Sequence, residues 1–285
     1  MTRRYPAAVA GFLAFGILAL SAGAAETRED FRYTVGPKAT LTISNVYGKT
    51  VIKPSPAARQ LTVVAVTRSG KVYVAASQRG NQVEIRTTLL EPVSGDEGRV
   101  DYEVAVPSGT GVSVHGGSGS VVMEGLRGDI EAESESASVE VRDVSGVHVH
   151  VRSLSGAITL TRVRNAHVEI QSQGGEVNLE NVSGPLLAVN STRGDIRYTG
   201  DFGFGGRYSL TSHAGNIDVA LPETASVDLT AHSEKGSVKN EVPMAARDLL
   251  ASRPPGGRSF AGTSHSGSST VRLLSFSGKI RVKKQ

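Results

Sequence analysis

From residue 112 onward apolar side chains fall at alternate positions in short runs, and the runs recur at a nearly fixed interval. Val112, Ile130, Val149, Val168, Leu187 and Tyr208 form one column, and Val114, Ala132, Val151, Ile170, Val189 and Leu210 a second two positions on. Beyond a small residue come two further columns, Val121, Val139, Ile158, Val177, Ile196 and Ile217, then Met123, Val141, Leu160, Leu179, Tyr198 and Val219. Alternation by two is the period of a strand with one buried face, so each repeat predicts two short strands. The small residue between them is Gly119, Ala137, Gly156, Gly175, Gly194 or Gly215, at spacings of 18, 19, 19, 19 and 21. A unit this short buries its apolar face only by stacking on its neighbours. The predicted fold class is therefore all-β, a single-stranded parallel β-solenoid with coils of about 19 residues.

Two more columns describe the corners. Leu126, Val144, Val163 and Val182 are each followed two residues later by Gly128, Gly146, Asn165 or Gly184, which predicts a second turn with positive φ. Three residues before the small marker stand Ser134, Ser153, Ser172, Ser191 and Ser212, and the late unit "VRLLSFSGKIRV" supplies Ser275. Hydroxyls repeated at a bend are expected to form a structural ladder that pairs turn backbone in their own and adjacent coils. A catalytic serine would occur once, beside a base. On the outward positions Glu133 and Arg152, Asp143 and Arg162, and Glu124 and Arg142 lie one coil apart, so opposite charges are expected on neighbouring rungs.

The ends depart from this rhythm. Runs such as "TLTISN", "LTVVAVT", "QVEIRTTLL" and "RVDYEVAVP" are β-like but unevenly spaced, so residues 26–107 are read as wider coils with hairpin excursions that cap the first rung. Regular coils occupy 108–242. After Pro243 the pattern breaks, and 243–270 is expected to be an irregular insertion with a short helix from Ala245 to Leu250 and a Pro/Gly/Ser loop. Residues 271–285 are read as the final coil with a basic tail, and end-to-end self-association through that last rung stays open.

Residues 1–25 combine Arg3 and Arg4, an apolar run from Ala7 to Leu20 and small residues at Ala22 and Ala24, the grammar of a cleaved signal peptide. The expected protein is exported, periplasmic or at the cell surface, and no second stretch approaches membrane-spanning length. There is no cysteine, so burial and backbone pairing alone must hold the fold. Removing Arg3 and Arg4 takes the formal charge from +4 to +2. The distribution is uneven: residues 246–285 hold eight Lys or Arg against one Asp.

Candidate chemistry is sparse. Asp129, Glu131, Glu133 and Glu135 are close in sequence but alternate with core positions and face cross-rung partners, which favours a solvated face over catalytic carboxylates. His148 and His167, with His150 on the same face, and His213 with His232 recur at nineteen residues, yet neither pair has the further ligands that a structural metal requires. No phosphate loop or nucleophile elbow is present, so no catalytic, metal or cofactor site is assigned. The candidate contacts are surface features. Phe202 and Phe204 lie among glycines in the insertion "GDFGFGGR", and Arg253, Arg258, Lys279, Arg281, Lys283 and Lys284 form the basic end. An exported protein meets envelope polymers or envelope proteins rather than nucleic acid.

The stretches "LTISNVYGKTVIKP", "VAVPSGTGVSVHGGSGSVVMEGLRGDIEAESE", the S-x-x-G-x-I/V units and "VRLLSFSGKIRVKK" resemble the bacterial putative adhesins that carry the DUF4097 type of β-strand repeat. The resemblance runs from about residue 32 to 284 and implies a single-stranded, right-handed β-helix at the bacterial envelope or surface. It implies no particular ligand and no functional residues. The favoured expectation is a non-enzymatic adhesin or envelope-binding scaffold. An envelope-stress regulatory module and a carbohydrate-active β-helix enzyme are the alternatives.

Overall fold

A computed structural model describes residues 26–93, 95–246 and 258–285. The expected signal peptide lies outside the described residues. The first part of the chain forms β1 (Thr27–Thr34), β2 (Thr40–Pro54), β3 (Gln60–Thr67), β4 (Val72–Arg79), β5 (Gln82–Leu89), β6 (Val100–Val106) and β7 (Gly111–Glu124). The regular body follows as strand pairs: β8 (Ile130–Ser134) with β9 (Ser138–Ser145), β10 (His148–Ser153) with β11 (Ile158–Arg164), and β12 (His167–Ser172) with β13 (Val177–Val182). Next come β14 (Leu186–Ser191) with β15 (Ile196–Thr199), β16 (Arg207–Ser212) with β17 (Ile217–Leu221), and β18 (Val227–Ser233) with β19 (Val238–Asn240). The chain closes with β20 (Ala245–Ala246), β21 (Ser259–Thr263), β22 (Ser269–Ser275) and β23 (Ile280–Lys284).

Each regular coil is strand, corner, strand, corner, and it pairs in parallel with the coil before and after it. Val149 lies in register with Ile130 on one side and Val168 on the other, and Leu160 with Val141 and Leu179. The columns predicted to face inward are buried throughout, from Val112 to Val219. Strands β2 and β7 run unbroken through the first corner and join the two stacks of strands.

The stack order departs from chain order at both ends. Strands β5 and β6 pair in parallel with β2, and β7 pairs with the other edge of β2, so the coil of residues 82–106 lies outside a coil that precedes it in sequence. At the far end β22 sits between β16 and β18, and β23 between β17 and β19. The expectation that "VRLLSFSGKIRV" closes the stack is therefore wrong. Val271 and Leu273 occupy the same inward columns as Tyr208 and Leu210 on one side and Leu229 and Ala231 on the other, so the C-terminal coil completes a core interrupted between them. The last parallel coil is β18 and β19, so the C-terminal strand is flanked on both sides and is not available for end-to-end contact. The predicted helix is also overturned where it is described, because Ala245–Ala246 form β20, antiparallel to β21; the remainder, 247–250, lies outside the described residues.

Antiparallel strands close the ends. Strand β4 covers β5, β3 and β1 extend the stack beyond β6, and β21 and β20 extend it beyond β18. The terminal strands β19 and β20 are very short, and β1 alternates charges along its exposed face (Arg28, Asp30, Arg32), devices that blunt an open edge. Inside the N-terminal end, Asn45 donates to the Val100 carbonyl (2.9 Å), Thr87 donates to Asn45 Oδ1 (3.2 Å), and the Tyr102 hydroxyl lies 2.8 Å from Thr87. Burial pushes the Tyr102 hydroxyl up to about 12, so this network stays neutral.

Candidate functional site

The first corner is built from glycine and serine. A Cβ added to Gly175 would lie 2.0 Å from the Gly156 carbonyl oxygen, and one on Gly194 would lie 1.9 Å from that of Gly175. The same contact links Gly215 to Gly194, Gly278 to Gly215 and Gly236 to Gly278, following the spatial order of coils and not the chain order. The marker is glycine because backbone meets backbone there. Ala137 is accommodated because its neighbour β7 runs straight through this corner with Gly116, where an added Cβ would sit 3.3 Å from the Ala137 Cβ.

The ladder serines are all buried. Ser153, Ser172 and Ser191 each donate to the carbonyl of their own marker glycine at 2.7 Å, and Ser134 does so to Ala137 at 2.5 Å. From Ser212 onward the hydroxyl accepts the marker N–H instead, as Ser275 does from Gly278 (2.8 Å). Ser233, which sequence reading missed, also donates to Gly278 O of the neighbouring coil (2.8 Å), and Ser275 reaches Gly215 O at 3.4 Å.

Outside this corner runs an open groove of about 730 Å³, lined by the same positions on six successive rungs from Ser44–Val46 to Asn190–Thr192. At strand spacing it is roughly 24 Å long. The second to fourth rungs are charged: Glu133 pairs with His115 (3.3 Å) on one side and Arg152 (3.2 Å) on the other. The last two rungs carry uncharged hydrogen-bonding groups, Gln171, Gln173, Asn190 and Thr192, beside Leu154, which is half exposed. Gln171, Gln173, Asn190, Thr192 and Leu154 were not singled out from sequence, whereas Glu133 and Arg152 were expected only as a cross-rung pair. The available signal was their place four and two residues before the marker, where successive coils present outward groups.

The second corner behaves differently. Gly128 and Gly184 do not adopt positive φ; they are glycine because an added Cβ would meet Thr110 O and Ala166 O at 2.2 and 2.1 Å. Gly146 and Asn165 do take the expected left-handed conformation. A column not anticipated does so as well: Gly125, Asp143, Arg162, Asn181 and Gly200. Arginine is unusual there. Arg162 is clamped by two parallel bonds to Asp143 (2.6 and 2.7 Å), and these bonds hold the Asp143 carboxyl below its ordinary range. The Glu124–Arg142 pair also forms, at 3.0 Å, with Glu124 lowered in the same way.

The insertion separates its two phenylalanines. Phe202 is fully buried, stacked on Tyr198 at 4.1 Å and tilted against Tyr208 at 4.5 Å, so its expected surface role is wrong. Two core columns carry tyrosine on either side of this loop, and the ring fills the space between them. Phe204, in contrast, is 93% exposed. The Tyr198 hydroxyl lies within reach of both Val182 O (2.8 Å) and Asp201 O (2.9 Å), which fixes the start of the loop.

The basic end is a row woven into the sheet, not a tail. Lys279, Arg281 and Lys283 are exposed at alternate positions along the C-terminal coil. Arg281 pairs with Glu241 (3.1 Å) and Lys284 with Glu223 (2.8 Å). Arg258 donates to Glu234 O at 2.7 Å, and Arg253 lies outside the described residues. The His148 and His167 rings are 5.2 Å apart, but among the described residues no group of three or more His, Cys, Asp or Glu is placed to hold a metal. His213 and His232 are not on adjacent rungs, because the inserted C-terminal coil separates them; His213 instead stacks on Phe276 (4.7 Å).

The fold and its corner define a two-stack parallel β-solenoid with interleaved ends. The profile of the Toastrack DUF4097 family matches residues 40–283, and the chain belongs to that family. It is similar to the crystal structure of a putative adhesin from Bacteroides fragilis at 13% identity, covering 91% of this chain and 97% of that one, with a TM-score of 0.48. A putative adhesin from Parabacteroides merdae is 10% identical, with 90% and 96% covered and a TM-score of 0.36. A putative cell adhesion protein from Clostridium sporogenes is 12% identical, with 91% and 100% covered and a TM-score of 0.28. No curated protein matches. Among the described residues no helix is long and apolar enough to cross a membrane.

Proposed function

We propose that the protein is an exported, non-enzymatic envelope-binding module that holds an extended, hydrogen-bonding polymer in the groove along the serine corner. The observation that carries this reading is the groove itself, six rungs long and lined by the same outward positions of each coil. A linear polymer lying along the stack meets a new pair of side chains about every 4.8 Å. The amides of Gln171 and Asn190 offer both donors and acceptors, which suits an uncharged chain such as a glycan strand. Glu133 is engaged by His115 and Arg152, which supports an ionic anchor partway along the groove over a proton-transfer role. Export rests on the character of residues 1–25.

The test is co-sedimentation of the purified chain from Glu26 onward with lipid-free cell-wall material, beside the double variant Gln171→Ala, Asn190→Ala. The wild type is expected to pellet saturably and the variant to bind about tenfold more weakly, as loss of two hydrogen-bonding groups implies. A wild type that stays in the supernatant, or a variant that pellets equally well, overturns the proposal.

A further inference from the structure

Two surface features far apart in sequence approach each other at the second corner: the loop of residues 200–206, and Lys283 at the end of an exposed cationic row that begins at Lys279, beside the serine-corner marker Gly278. The loop of residues 200–206 leaves β15 where the Gly200 N–H bonds Ala220 O (3.1 Å), and Ala220 is in register with Lys283 on the next rung. The loop therefore starts two rungs, roughly 10 Å, from Lys283, and Arg281 and Lys279 follow at alternate positions along the strand toward the serine corner. Lys279 and Lys283 have no ion pair among the described residues, and Lys239 lies beside Arg281 in the next strand.

The loop is held firmly at its base. Phe202 is buried beneath it, Ser269 donates to Gly203 O (2.6 Å), and the Gly206 N–H reaches the same hydroxyl (3.3 Å). Gly203 and Gly205 take φ of 76° and 74° on either side of Phe204, so the turn presents one aromatic ring at its tip. A single projecting ring is convex and has no walls with which to grip a soluble ligand. Beside a row of cations it has the chemistry of a headgroup-level anchor, with the ring entering the acyl boundary and the ammonium groups meeting lipid phosphates.

We propose that Phe204 and the Lys279–Arg281–Lys283 row form a docking face for an anionic phospholipid surface. Phe204 and Lys283 lie at the opposite corner of the coil from the polymer groove, and Lys279 lies two rungs beyond the last rung of the groove, so both can be occupied together, and neither reading depends on the other. The experiment uses the chain from Glu26 onward, which contains every described strand, with vesicles of phosphatidylcholine alone or mixed with phosphatidylglycerol. Binding is expected only to the mixed vesicles. Phe204→Ser should weaken it about tenfold, in line with loss of one partly buried ring. Lys279→Gln with Lys283→Gln should weaken it and flatten its salt dependence. Because the chain has no tryptophan, Phe204→Trp supplies a direct reporter whose emission should shift to the blue on mixed vesicles. All these side chains are exposed, so unchanged circular dichroism and melting temperature check that the variants fold. Three outcomes overturn the proposal: no binding to mixed vesicles at low salt, an unshifted Phe204→Trp emission, or full binding by Phe204→Ser, which would make the row a general polyanion site.

Discussion

The two corners of the solenoid solve the same problem, reversing the chain between stacked strands, with different strictness: close backbone contact holds at every marker glycine of one, and at the other it recurs at Gly128, Gly184 and Gly206 beside positions that carry side chains. At the serine corner every marker glycine rests on the carbonyl of the coil beneath, at distances that admit no side chain, and a buried hydroxyl closes each turn. At the second corner the chain uses left-handed residues of mixed type, one of them arginine, and there it carries the seven-residue stretch with Phe204 at its tip. Close backbone contact fixes composition and length, while a looser bend leaves room for insertions. The strict corner consequently supplies a regular groove and the permissive corner supplies an isolated projection.

Substitutions that exchange the properties of the two corners test this contrast. Gly175→Val should be the most damaging, because even its Cβ would lie 2.0 Å from Gly156 O and the backbone cannot yield; a loss of more than about 4 kcal/mol in urea unfolding, or failure to fold, is expected. Phe202→Ala removes a buried ring stacked between two tyrosines and should cost about 3–5 kcal/mol, showing that the permissive corner still has a core beneath its loop. Ser172→Ala leaves Gly175 O without its buried donor and should cost about 1–3 kcal/mol. Gly205→Ala, with open space around the position but φ of 74°, should cost only about 1 kcal/mol; a loss as large as that of Gly175→Val would erase the distinction.

The smallest effect is electrostatic. Arg162 lowers the Asp143 carboxyl in the folded state, so the unfolded chain binds that proton more readily. The contribution of the pair is present above the unfolded carboxylate value, about pH 3.9, and fades as pH falls through the lower folded value. Arg162→Gln should therefore flatten the decline in stability below pH 4 without altering its level of pH dependence near neutrality. A decline identical to the wild type would show that the exposed pair adds nothing.

Much of the middle of the molecule was legible because its constraints are local and repeated. The inward columns, the serine ladder and the pairs Glu133–Arg152, Asp143–Arg162 and Glu124–Arg142 follow from a period close to nineteen once parallel stacking is assumed. Stack order at the ends was not legible. The segment "VRLLSFSGKIRV" has the same pattern whether it ends the stack or enters it, and only the long-range pairing of Val271 with Tyr208 and Leu229 decides. The two phenylalanines also read alike among their glycines; Tyr198 and Tyr208, large residues in columns otherwise held mostly by aliphatics, were the available sign that one ring was needed inside. The Arg162 conformation had no such sign, since a left-handed bend is usually marked by Gly, Asn or Asp.

The interleaved C-terminal coil has a consequence for how the molecule is made. A chain that emerges N-terminus first can add coils one upon another as far as β17, but the next strands in sequence, β18 and β19, have no finished surface to join. They must wait until the last residues appear and slide into the gap. The C-terminus thus acts as a keystone: the arch stands only when the final stone is set, and a chain cut short before Ser269 leaves two courses of the wall unsupported.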